Sequence, residues 1–398
     1  MKKTIVLGIS GGIAAYKSAQ LASNLVKKGH DVHVIMTKNA TEFIAPLTFE
    51  VLTNHKVAVD TFDRNFNYNV NHVSLSKKAD VFVMAPATAN VLAKFAAGMA
   101  DDMLTTTYLA LRCPVLMAPA MNTAMLEHPA TQRNIKRLKE DGVHFVQPGS
   151  GYLACGDVGA GRLADVVDIE EEIEVLLQRK KPLLGKKVVI TAGPTVEAID
   201  PVRFITNHSS GKMGYALARA ARHLGADVHL ITGPTSLKVP RGIEVSHVAS
   251  ASDMFDVAMS QLDYDYFIAS AAVSDFKTQE ISDQKMKKQA TGEHLMLALV
   301  QNKDIVEAVA KKKKAHQVVC GFAMETGDLI ENAQGKLKRK QLDLIVANHL
   351  FEAGAGFKGD TNKVTILGKE KIEPLEVMSK EKLAYEILER LYATASTL

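Results

Sequence analysis

Three side chains able to do acid–base chemistry stand far apart in the first half of the sequence, each inside a short polar motif. His72 lies in Asn71-His72-Val73-Ser74-Leu75, Asn122 closes Pro119-Ala120-Met121-Asn122, and Cys155 sits in Ala154-Cys155-Gly156-Asp157. With Pro86-Ala87-Thr88-Ala89-Asn90 these read as four loop motifs at strand ends, supplying a base, an amide donor and a thiol. Each also has an ordinary reading: a solvated loop histidine, an Asn-capped turn, a cysteine used as a small apolar filler. The second half carries Asn207-His208-Ser209-Ser210-Gly211-Lys212-Met213-Gly214, a polar loop suited to phosphate at a helix N-terminus, or simply to an N-cap. Ala271-Ala272-Val273-Ser274-Asp275-Phe276 puts Asp275 at a strand end, where a carboxylate can hold a metal or a nucleotide. Lys285-Met286-Lys287-Lys288 is a basic run that can neutralise a triphosphate; Lys311 to Lys314 has no such motif around it and reads as a helix surface.

The elements that position these groups are legible twice over. Lys3 to Gly8 is a β-branched run ending in a Gly-rich turn. Ile13 to Lys28 has apolar residues at helical spacing, and Gly29-His30-Asp31 precedes the strand Val32 to Met36. The plan recurs from Lys187, with the strand Val188 to Thr191, the turn Gly193-Pro194, a helix from about Met213 to Leu224, and the strand Val228 to Ile231. Two βαβ units follow, each opening its own sheet. Further apolar runs at Val81 to Ala85, Val115 to Ala118, Tyr266 to Ala269, Val318 to Gly321 and Leu344 to Ala347 read as buried parallel strands. The expected fold is α/β, with two doubly wound Rossmann-like domains of mainly parallel sheet. The segment Gln178 to Lys187 is the boundary, giving domains at 1–182 and 183–398. Ligands of such sheets bind at the carboxyl ends of the strands.

Composition bounds the answer. A length of 398 residues calls for more than one core, and 47% hydrophobic with 23% charged residues is a globular balance. A net charge of +4 does not argue for nucleic acid. Three scattered cysteines, Cys113, Cys155 and Cys320, form neither a disulfide framework nor a zinc site and fit a reducing cytoplasm. No run approaches the roughly 20 apolar residues that span a bilayer, and the start of the chain reads as a strand rather than a signal peptide. Neither Gly-rich turn is a dinucleotide fingerprint. Met36-Thr37 and Thr232-Gly233 stand where an acidic residue would hold a ribose, and no P-loop is present.

The set His72, Pro119-Ala120-Met121-Asn122 and Cys155 makes residues 1 to 180 resemble the flavin-dependent cysteine decarboxylases, specifically the phosphopantothenoylcysteine decarboxylases. The resemblance implies a flavodoxin-like domain with FMN held by Ser10, Gly11, Thr37, Pro86, Ala87, Thr88 and Asn90. It implies thiol oxidation by the flavin, His72 as base, Asn122 on the departing carboxylate with Met125 beside it, and Cys155 as proton donor. Leu126 departs from the family, which usually has an aromatic residue there.

Residues from about 186 onward resemble phosphopantothenate–cysteine ligase, and decarboxylase first, ligase second is the bacterial order. The resemblance implies ligation of L-cysteine to 4′-phosphopantothenate through an acyl-cytidylate made from CTP. Ala271, Asp275, Lys285, Asn302, Asp304, Ile305, Phe322, Lys336 and Lys340 are then CTP contacts, and Asp275 holds Mg²⁺. Arg203, Asn207, Ser209, Ser210 and Gly211 are substrate contacts, with Asn207 and Lys285 catalytic. It also implies a homo-oligomer: trimers of the first half, dimers of the second, a dodecamer together. The rival readings are a chain with one activity, a decarboxylase of cysteine-ended peptides, and a regulatory flavoprotein without catalysis.

Overall fold

The computed structural model describes residues 2–62, 71–154, 156–287, 295–325, 327–349, 359–369 and 371–396. The chain divides into two compact units, Met1–Arg179 and Lys180–Leu398.

Among the described residues, the main sheet of the first unit has five strands, all parallel. Their spatial order is Asp31–Met36, Thr4–Ile9, Val81–Ala87, Val115–Pro119, His144–Phe145. Alternate residues face opposite sides, as a pleated strand requires. Ile5, Leu7, Ile9, Val81 and Val83 join one cluster with Leu21, Leu25, Ile169 and Ile173, whereas Val6, Phe82 and Met84 join another with Leu92, Phe95 and Leu138. Helices therefore cover both faces, which is why the strands read as continuous apolar runs. The helix Ala15–Lys27 buries Ala15, Ser18, Leu21, Ala22 and Leu25 along one stripe. Leu21 and Leu25 each contribute about 1.5–3 kcal/mol by leaving water. The Ser18 hydroxyl donates to Ala85 O at 2.7 Å, tying this helix to the central strand.

The second unit repeats the plan at larger scale. Its main sheet runs Glu244–His247, Asp227–Thr232, Lys187–Ala192, Tyr266–Ala269, Val318–Glu325, Leu344–His349, Thr365–Gly368, Ile372–Pro374. The first six strands are parallel; Thr365–Gly368 pairs antiparallel with Leu344–His349, and Ile372–Pro374 antiparallel with it in turn. Val188, Ile190 and Leu230 face a cluster with Leu217, Leu383 and Leu388, and Val189, Ile231 and Phe267 face one with Met254, Val309 and Leu337. Small ribbons add to the carboxyl edge: Val196–Ala198 with Phe204–Thr206, and Phe276–Thr278 with Leu299–Gln301. Among the described residues no helix is long and apolar enough to cross a membrane.

Candidate active sites

In a parallel sheet every strand delivers its following turn to the same edge. The turns after Thr4–Ile9, Asp31–Met36, Val81–Ala87 and Val115–Pro119 thus bring Ser10, Thr37, Thr88 and Asn122 to one side of the first unit. Ser10 is buried, and its hydroxyl donates to Pro86 O at 2.7 Å while accepting from Thr88 N at 3.1 Å. It knots two strand ends together and so shapes the turn. Thr37 and Thr88 each cap a short helix, accepting from Ala40 N and Val91 N. The expected Pro86 to Asn90 loop is instead the end of a strand and the start of a helix. Pro86 and Ala87 are buried in the strand, Thr88 stands at the N-cap, and Asn90 is exposed on the helix Ala89–Ala97. By contrast, the helix Ala15–Lys27 has Ala14 at its N-cap and no capping side chain. The amides of Gly11, Gly12 and Ile13 donate to nothing else among the described residues. Unsatisfied N–H groups at a helix start form an anion receptor, so the donor set here fits the phosphate of a flavin nucleotide.

His72 corrects the sequence expectation of a loop. It lies half-buried in the first turn of the helix Asn71–Lys78, which leads into the strand Val81–Ala87 and so starts towards the carboxyl edge. Asn122 Oδ1 accepts from Ala124 N at 2.9 Å, capping Thr123–Glu127, and its Nδ2 donates to Asp157 Oδ2 at 3.0 Å. Asp157 arrives on a hairpin, Gly149–Tyr152 with Val158–Arg162, that no alternation in the sequence announced. Thr123 Oγ1 donates to Ala160 O at 2.8 Å, and Met121 N to Gly161 O at 3.0 Å. Gly161 has φ +132°, and a Cβ there would sit 2.2 Å from Met121 O, so only glycine allows this close docking. Cys155 lies outside the described residues. Met125 is exposed, and Leu126 is buried.

The second unit repeats the uncapped helix: Lys212–His223 starts at Gly211 without a capping side chain. Ser209 Oγ accepts from Gly211 N at 3.3 Å, beside Ser210, and Asn207 Nδ2 donates to Ala272 O at 3.0 Å. The 271–275 segment is pinned from three sides. Ala271 N donates to Thr191 Oγ1, Ser274 N to Thr195 Oγ1, and Asn302 bonds both Ser274 O at 2.9 Å and Asp275 O at 2.8 Å. The Asp275 side chain is left exposed. Lys336 pairs with Glu325 and Lys340 with Asp304, each at 2.6 Å, and Asp304 also caps the helix Ile305–Lys312. Of the other expected nucleotide contacts, Ile305 lies in the core and Phe322 half-buried on the strand Val318–Glu325. Lys285 is exposed. Arg203 forks onto the buried Asp200 with Nε at 2.9 Å and Nη2 at 2.6 Å. Asp200, Thr195 and Asp157 were missed from sequence; Asp200-Pro201 is a turn signature that marks the first of them.

One group of three metal-ligating side chains occurs among the described residues, Asp31, His33 and His55, at the amino end of a strand and so away from these turns. The two imidazoles stack 4.1 Å apart at 18° and both point at the Asp31 carboxylate. A metal must lie in the plane of each ring that binds it, and near-parallel stacked planes share no such point; the cluster is a hydrogen-bonded one. Around Asp275 no such group forms among the described residues. Cys320 is fully buried in the core, and burial pushes the Cys113 thiol up to about 11, so both are inert fillers.

These features define a chain of two α/β units, each with a helix start that lacks a capping side chain at the carboxyl edge of its own sheet. The family model described as "Flavoprotein" matches residues 1–178, and that described as "DNA/pantothenate metabolism flavoprotein C-terminal domain" matches 183–394. The coenzyme A biosynthesis bifunctional protein CoaBC of Bacillus subtilis (strain 168) is 50% identical over 396 residues, covering 98% of this chain and 97% of that protein. Its counterpart in Vibrio parahaemolyticus is 45% identical over 390 residues, covering 98% of each. A crystal structure of the C-terminal domain of a CoaBC protein is 35% identical, with a TM-score of 0.48, covering 55% of this chain and 100% of that one. The chain belongs to the family of coenzyme A biosynthesis bifunctional proteins.

Proposed function

We propose that the first unit is an FMN-dependent phosphopantothenoylcysteine decarboxylase and the second a CTP-dependent phosphopantothenate–cysteine ligase. The match to bifunctional relatives carries this reading, because it covers 98% of the chain and so spans both units. The chemistry supports it: the product of the ligase is the substrate of the decarboxylase.

In the first unit, Gly11 and the free amides after Ser10 receive the flavin phosphate, and Thr37, Thr88 and Asn90 border it. Bound FMN supplies the two-electron chemistry that makes the substrate's carboxylate a leaving group. His72 takes the proton, and Asn122, once Asp157 releases its amide, binds that carboxylate beside Met125. Cys155 returns a proton. In the second unit, Ala271, Asp275, Asn302 and the lysines 336 and 340 would line the CTP site, where Asp275 would hold Mg²⁺ and the ion would supply charge neutralisation for the phosphates. Lys336 and Lys340 then exchange Glu325 and Asp304 for phosphate oxygens. Ser209, Ser210, Gly211 and Arg203 hold 4′-phosphopantothenate, and Asn207 and Lys285 serve the acyl-cytidylate and its opening by the cysteine amine. The small-molecule substrates require neither nucleic acid nor membrane, and the site of action is the cytoplasm. A homo-oligomer, built by trimeric contacts of the first unit and dimeric contacts of the second into a dodecamer, completes the proposal.

The test is mass spectrometry of the purified chain with 4′-phosphopantothenate, cysteine, CTP and Mg²⁺. Formation of 4′-phosphopantetheine, stopped by omitting CTP, is expected. Neither that compound nor phosphopantothenoylcysteine appearing would remove the substrate assignment.

A further inference from the structure

Asp200 has no exposed side-chain surface, yet it carries a full set of partners. Its Oδ1 accepts from Val202 N and Arg203 N, both at 2.8 Å, which closes the turn from the Val196–Ala198 strand to Phe204–Thr206. Its Oδ2 accepts from the Arg203 guanidinium and, at 3.2 Å, from Met286 N, 86 residues further along the chain. Arg203 Nη2 then donates to Met286 O at 2.6 Å, so both polar groups of the Met286 backbone are held by one Asp–Arg pair. The neighbouring segment is hung on the same ribbon: Ser282 N donates to Ile199 O at 3.0 Å and Thr278 Oγ1 to Ala198 O at 2.7 Å. A carboxylate buried this completely is costly unless every lone pair is used, and here the partners are the turn, the arginine and the distant loop. Lys285 is bonded directly to Met286, so fixing that residue's backbone places the Cα of Lys285 within one peptide length, about 3.8 Å.

We infer that Asp200 is a positioning residue of the ligase site, setting the reach of Arg203 and docking, through Met286, the segment that presents Lys285. The inference rests on the reading above in which Arg203 and Lys285 serve ligation. Asp200 touches no substrate; it acts by removing the freedom of two groups that do, and misplacement of such groups costs rate steeply.

The test uses the full-length, FMN-loaded chain. Asp200→Asn keeps an oxygen for the Val202 and Arg203 amides but offers an NH₂ where Met286 N–H and the guanidinium donate. We expect ligation to fall at least tenfold in kcat, with decarboxylation of supplied phosphopantothenoylcysteine unchanged and the Met286 amide exchanging faster with deuterated water. Arg203→Lys, which keeps the charge but cannot bridge Asp200 and Met286 O, reports on the same link without altering Asp200. Combined with Asp200→Asn, it should cost no more than the larger single effect. Multiplying losses, or an unaltered Met286 exchange rate in both variants, would overturn the proposal. Lys285→Gln and Arg203→Lys that ligate normally would instead remove the site reading itself, and the inference with it.

Discussion

Ser10 spends its hydroxyl on Pro86 O and Thr88 N, and Thr37 and Thr88 spend theirs on helix caps. In the proposed flavin site their part would therefore be to shape a rim of free amides rather than to reach out. His72, half-buried in the first turn of its helix, has no such structural bond among the hydrogen bonds described. His72→Asn is expected to retain bound FMN, read by its visible absorbance, while carbon dioxide release falls by about 10²-fold or more, the usual worth of a positioned base. Release at the native rate would clear His72 of that role.

Elements decide what the residues meet. The hairpin 149–162 docks on the 121–123 segment through Gly161, and the ribbon 196–206 carries the Asp200 link to Met286. Burial works to raise the Asp200 carboxyl, but the Arg203 side chain and the Val202, Arg203 and Met286 amides outweigh it and hold it well below its ordinary 3.8. A group whose native value lies below its unfolded value stabilises fully above the unfolded value, about pH 4, and loses that contribution as pH falls towards the native one. The stability gap between the native chain and Asp200→Asn, measured by denaturant unfolding, should hold steady from about pH 7 to 5 and shrink below about pH 4. A gap that widens with acid would contradict the ionised, fully bonded carboxylate.

At the scale of the whole molecule, each unit has its own sheet and its own pair of cores, and each candidate site draws its described residues from one unit. On the proposed reading, the product of one unit's reaction is the substrate of the other's. Mixing equal amounts of the His72→Asn and Lys285→Gln chains should restore 4′-phosphopantetheine formation to roughly half the native rate at saturating substrate, since half the sites of each kind remain. A mixture as inactive as its parts would mean that the units depend on each other within one chain.

The sequence by itself determined the central strands of each main sheet, because a strand buried on both faces must be a continuous apolar run, and it determined the two βαβ openings, because such a run gives way to helical spacing at a Gly-rich turn. Parallel strands then leave no choice about which edge receives Ser10, Thr88, Asn122, Asn207 and Asp275. What lay beyond it were contacts of long separation. Asn122 meets Asp157 across 35 residues, Asp200 meets Met286 across 86, and Ser10 meets Pro86 across 76. His72 read as a loop because a polar eight-residue helix has too few apolar positions to show a period. That Ile305 lies in the core and Phe322 half-buried on its strand was not legible, because motif spacing does not say which way a side chain turns. Local chemistry sets the elements, but only packing decides which partner satisfies a buried polar group and which side chains are left for a ligand.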